Sequence, residues 1–149
     1  MASGKRSIIM ARTLKEELTE MGFGDRLEEF SRFIRSCGNE TSKSFWGCGN
    51  GSMHILQVRE IHKRFVILTE NHEWDSGTGI GMATQLFVVD GEKLHVGKEI
   101  YFRDKYKSAN DCWERYFRKI SRMRKEKNAF VVTLNNPQKH RMEEIKISF

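Results

Sequence analysis

The stretch Ser108–Asn128 constrains the fold of this chain more than any other. Cys112, Trp113, Tyr116, Phe117, Ile120 and Met123 recur there at steps of one, three and four, the period of an amphipathic helix. Ser108 followed by Asp111 is a variant of the capping box that opens helices. Arg115, Arg118, Lys119, Arg122, Arg124, Lys125 and Lys127 lie between and beyond these rings. The pattern predicts one long amphipathic basic helix near the C-terminus, with rings against a core and a cationic ridge in solvent.

Such a helix needs another layer to cover. Upstream, Thr13 and Glu16 make a capping box around Leu14, Leu18 and Met21, and Gly22-Phe23-Gly24 interrupts the run. Asp25 with Glu28 opens a second helix whose apolar side is Leu27, Phe30, Phe33, Ile34 and Cys37, closed by Gly38. These two predict a helical hairpin. β-Prone segments follow at Met53–Ile61, Arg64–Glu70, Gln85–Val89, Lys93–Phe102, Ala129–Leu134 and Glu144–Phe149. Arg64–Glu70 is nearly continuous in apolar residues, as in a strand buried on both faces. His62-Lys63 and Asp90-Gly91 mark tight hairpins, and Gly97 marks a bulge. Asn39–Ser52 and Asn71–Ala83 read as glycine-rich loops. The expectation is an α+β fold in the order ααββββαββ, with an antiparallel sheet of about five to six strands. Residues 1–12 read as a flexible basic tail and 13–149 as one domain, the default at this length.

The formal charge is +6 and it is unevenly placed. Residues 91–149 hold fifteen Lys/Arg against eight Asp/Glu, a net of +7, and the stretch from Arg115 to Lys127 supplies most of it. A polyanion fits that distribution, because clustered cations neutralise phosphates and release counterions. Arg103, Lys105 and Lys107 extend the track of Arg115, Arg118, Lys119, Arg122, Arg124 and Lys125. Trp46 and Trp74, each on a glycine-rich loop, offer faces on which unpaired bases stack. The expectation is therefore a nucleic-acid-binding regulator without chemistry of its own, for RNA or single strands ahead of duplex DNA. A protein-interaction module or inhibitor is the alternative, docking through the helices around Phe23, Phe30 and Phe33 or through the Trp46 loop. A metal-independent nuclease is the second, with His72 beside Glu73 for proton transfer.

Other chemistries find little support. Gly77-Thr78-Gly79-Ile80-Gly81 lacks the Gly-Lys-Ser/Thr ending of a phosphate loop. Cys37, Cys48, His54 and His62 are spaced too widely for a paired metal-ligand motif, so no metal or cofactor is expected. Three cysteines without a secretory signal suggest a reducing compartment, cytoplasmic or nuclear. No apolar run approaches the roughly 20 residues that cross a bilayer, and no membrane partner is expected.

Overall fold

The computed structural model describes residues 12–37, 40–42, 52–75, 79–102, 118–136 and 140–149, with the backbone alone for 40–42, 52, 72–75, 79–82 and 101–102. A long hairpin forms its centre. Strand β4 (Arg64–Asp75) pairs antiparallel with β5 (Gly79–Asp90), from Phe65↔Val89 to Asp75↔Gly79. Strand β3 (Ser52–Ile61) lies along β4, while β6 (Lys93–Val96) and β7 (Ile100–Phe102) lie along β5. Side chains alternate across a strand, and here both faces are apolar. Phe65, Ile67, Phe87 and Val89 face the N-terminal helical segment. Val66, Leu68, Leu86 and Val88 face a second antiparallel sheet, β8 (Lys119–Lys125), β9 (Ala129–Asn136) and β10 (Arg141–Ser148), with β9 in the middle. The protein is thus three layers deep, and β4 is buried on both sides as its sequence predicts.

The helical layer begins at a short pair of strands, β1 (Arg12–Thr13) and β2 (Glu40–Ser42). Helix α1 (Leu14–Leu18) carries the predicted capping box. Thr13 N–H donates to the Glu16 carboxylate at 2.9 Å, and Glu16 N–H donates to the Thr13 hydroxyl at 3.1 Å. A π-type turn (Thr19–Phe23), a 3-10 stretch (Gly24–Phe30) and α2 (Ser31–Cys37) follow without a break. The predicted two-helix hairpin is therefore corrected to one helical run, bent where Gly22 takes φ 98° and where Arg26 leaves helical geometry. Glycine accepts that positive φ without strain. The run buries Leu14, Leu18, Phe30, Phe33 and Ile34 on the sheet. Phe30 lies 4.5 Å from Phe65 between centroids, and Phe33 lies 5.0 Å from Phe87. Burying each such ring contributes about 1.5–3 kcal/mol.

The predicted C-terminal helix is not there. Lys119–Lys125 is a strand, and among the described residues no helix follows Cys37; positions 103–117 lie outside the described set. A bulge accounts for the last step of the apparent helical period, from Ile120 to Met123. The β8–β9 register steps from Ile120↔Leu134 to Arg122↔Thr133, so Ser121 is an extra residue. Ile120 and Met123 consequently both face the core, three residues apart, and a bulged strand imitates a helical period. Among the described residues the predicted single sheet is likewise two main sheets, of five and three strands, beside the two-stranded β1–β2 pair. Asn71–Ala83 is mostly strand rather than loop, since β4 and β5 continue to Asp75 and from Gly79. Gly38 and positions 43–51 lie outside the described residues.

Both predicted hairpins are present. His62 and Lys63 take φ 52° and 64°, the paired positive φ of a type I′ turn, here without asparagine or glycine. Gly91 follows Asp90 with φ 61°. Gly97 sits in the predicted bulge: between Phe87↔Val96 and Thr84↔Ile100, β5 advances three residues and its partner four. Its N–H donates to Leu86 O at 2.8 Å, and an added Cβ would lie 3.0 Å from that oxygen. Among the described residues no helix is long and apolar enough to cross a membrane.

Candidate nucleic-acid interface

The cations of β8 lie on a sheet face instead of a helix. Lys119, Arg122 and Arg124 project outward from β8, opposite Asn135, Thr133 and Val131 of β9. Met142, Glu144 and Lys146 of β10 complete the three rows. Val131 and Thr133 are buried although they face outward; the long side chains of Arg124 and Lys146 flank Val131 on either side.

Their partners separate these cations. Lys119 and Arg122 are exposed, and among the described residues neither has an ion-pair partner. The Lys125 ammonium lies 5.6 Å from the centroid of the Phe149 ring. Arg124 is shared between Glu144 at 2.8 Å and Glu126 at 2.9 Å. The hydrogen bond from Arg124 holds the Glu144 carboxyl below the usual carboxylate range, and the Glu144 and Glu126 bonds hold Arg124 above its own. Arg118 is not on this surface. It is 4% exposed, points between the sheets, and its Nε–H donates to Glu143 at 2.7 Å. Taking a guanidinium out of water requires such pairing.

Sequence reasoning missed Arg59. It lies on β3 and reaches across to β8, donating to Ile120 O at 3.0 Å and Ser121 O at 2.9 Å. Gln57 accepts the Ile120 N–H at 2.7 Å. Together they satisfy backbone groups that the bulge removes from the ladder. Carbonyls do not cancel the Arg59 charge, so it adds to the field beside Lys119 and Arg122. No motif marks it, because its role depends on two strand edges meeting.

A second polar cluster lies inside. The row His54↔Glu70↔Thr84 crosses β3, β4 and β5 on the side that faces the second sheet. Arg118, Asn136 and Glu143 occupy the facing end of that sheet, at a level set by the Gln57–Ile120 bond. Glu70, Thr84, Arg118 and Asn136 are all buried. On the opposite face, Asn71 donates to Gln85 at 3.2 Å and to Glu99 at 2.6 Å, and Gln85 donates to Gly97 O at 2.9 Å. Polar residues replace apolar ones along both faces beyond Leu68 and Leu86. Of these groups Glu70, Thr84, Arg118 and Asn136 are interior, while His54, Asn71, Gln85, Glu99 and Glu143 are half-buried.

The remaining predicted positions are only partly placed. Arg103, Lys105, Lys107, Arg115 and Trp46 lie outside the described residues. His72, Glu73 and Trp74 are consecutive on β4, opposite Met82, Gly81 and Ile80, and their side chains are outside the described set. Within residues 118–136 and 140–149 there are eight Lys/Arg and three Asp/Glu, a net of +5. No protein-family model, no curated protein and no solved structure matches this chain.

Proposed function

We propose that the outer face of the three-stranded sheet binds nucleic acid, RNA or single strands ahead of duplex, and that the protein acts as a non-enzymatic regulator. The observation that carries the reading is the net of +5 gathered in this layer, with Lys119 and Arg122 exposed on the outward row of one strand. A seven-residue strand spans about 20 Å, room for several phosphates. Lys119 and Arg122 hold them, and Arg59 adds to the field; Lys125 is on the inward row, opposite Phe130, with its ammonium over Phe149. Arg124 contributes less, since a phosphate must compete with Glu126 and Glu144. Width favours the single strand. Three strands at roughly 4.8 Å spacing, with their side chains, exceed a major groove of about 12 Å.

Fluorescence anisotropy with an oligouridine tests this. Affinity falls with salt, with a logarithmic slope near −0.7 per phosphate contact. Lys119→Ala with Arg122→Ala weakens binding at least tenfold at low salt and reduces the slope by about 1.4. Absence of binding below about 100 mM salt, or affinity unchanged in that variant, removes the reading. Tighter binding of a duplex reverses the preference for single strands. Recovery of intact oligonucleotide separates binding from hydrolysis through His72 and Glu73.

A further inference from the structure

Among the described residues, the strands that end the sheets differ in how they are guarded. β10 ends the three-stranded sheet and presents Glu144 and Lys146, charges of the kind that discourage edge pairing. β6 ends the central sheet and presents Leu94 and Val96. The pair Phe87↔Val96 and the bond from Gly97 N–H to Leu86 O fix which backbone groups of β6 face β5. Bonding alternates along an antiparallel ladder, so the N–H and C=O of Leu94 and Val96 point to the outer edge. Among the described residues none bonds to them.

A groove of about 670 Å³ runs beside that edge, under α2. Val96, 49% exposed, and Phe149, 53% exposed, line it. Arg32 and Arg35 of α2 and Lys93 of β6 also line it, and Glu92 is the acidic side chain among the lining residues. Both arginines are exposed, and among the described residues neither forms an ion pair. Leu94 and Val96 share the helix-side face with Phe87 and Val89, their register partners. Phe149 lies on the other side, 5.1 Å from His95 between centroids.

We infer that this groove takes an extended acidic segment of a partner protein, which adds a strand to β6. Its backbone pairs with Leu94 and Val96, as in other strand-addition complexes. Its side chains alternate, because strand residues face opposite ways. Carboxylates on one side meet Arg32 and Arg35, and apolar groups on the other meet Phe149. An alternating acidic–apolar peptide satisfies all three features. A nucleic acid has no alternating N–H and C=O to offer the edge. The groove shares no lining residue with the proposed nucleic-acid face.

The test uses isotopically labelled full-length protein and two synthetic octapeptides, one alternating glutamate with valine and one alternating lysine with valine. The acidic peptide shifts the amide signals of Arg32, Arg35 and Lys93–Gly97, and slows hydrogen exchange at Leu94 and Val96 at least tenfold. The lysine peptide does neither. Val96→Pro deletes an outward N–H at an edge position that tolerates proline, and it abolishes the protection. Arg32→Glu with Arg35→Glu, both on the surface, weakens the acidic peptide at least tenfold and decides the matter should the proline variant not fold. Equal responses to both peptides, shifts elsewhere, or no response to either at millimolar concentration overturn the proposal. The same shifts produced by oligouridine overturn it in favour of a continuous nucleic-acid surface.

Discussion

The central sheet carries different layers on its two faces. The helical layer packs by rings: Phe23 and Phe30 gather on Phe65, and Phe33 sits on Phe87. Its charges nearly cancel, with five Lys/Arg and six Asp/Glu in residues 12–37. Several are paired, Arg12 with Glu20, and Arg26 with both Glu29 and Glu60. The second sheet packs largely by aliphatic groups, Val132, Leu134, Ile120 and Ile147 among them. It holds the net of +5 and an interior arginine. Either layer covers the sheet, so hydrophobic burial does not decide which face meets a partner. The outward positions are free to differ, and they do. The Phe23, Phe30 and Phe33 cluster, expected as a docking surface, is occupied by the core; Phe30 and Phe33 are fully buried.

The largest expected effect tests whether the two layers are one cooperative unit. Phe30→Ala removes a ring from the helical layer and Phe130→Ala one from the second sheet, each at a cost of about 3–5 kcal/mol. Urea unfolding followed by far-ultraviolet dichroism and tryptophan fluorescence should show one transition in both variants, lowered by similar amounts. Two separated transitions in either would split the layers. Next in size is the contrast between ion pairs. Arg118→Met leaves Glu143 without its guanidinium in the interior and should destabilise by about 3 kcal/mol. Arg26→Met breaks solvated pairs and a guanidinium contact 4.8 Å over the Phe65 ring, and should lower the urea midpoint far less than Arg118→Met does. Equal effects would erase the distinction between the interior pair and the surface ones.

The smallest effect is a pH slope. Burial lowers the His95 pKa beneath the usual histidine value, against the opposing pull of Asp90. The unfolded chain then binds more protons than the folded one between the lowered value and about 6.5. Stability contributed by neutral His95 is complete above that window and is lost as pH falls through it. Among the described residues the helical layer holds no histidine. Unfolding of His95→Gln and parent between pH 7.5 and 5 should therefore differ in slope, with the parent losing more. Parallel curves would remove His95 as a reporter of that seam.

Local rules made much of this fold readable. The Thr13–Glu16 capping box, the doubly buried β4, the two tight hairpins and the Gly97 bulge each follow from residues close in sequence. What failed was the segment around Ile120. Its three-residue apolar step arises from a bulge at Ser121, and nothing local separates that from a helix turn. The candidate site suffered accordingly. Lys119, Arg122 and Lys125 lie exposed on a strand instead of a helix, while Arg118, from the same run of cations, is in the interior.

By itself the sequence determined where the apolar alternation runs, where the chain turns and that positive charge gathers toward its C-terminal end. Those are properties of neighbouring residues and of composition. Tertiary structure alone decided that Lys119–Lys125 is a strand, that Arg118 faces inward and Arg59 joins the surface, and that among the described residues β6 ends its sheet. Each depends on which strands meet across the fold, and long-range pairing is set by packing between segments that no local pattern encodes.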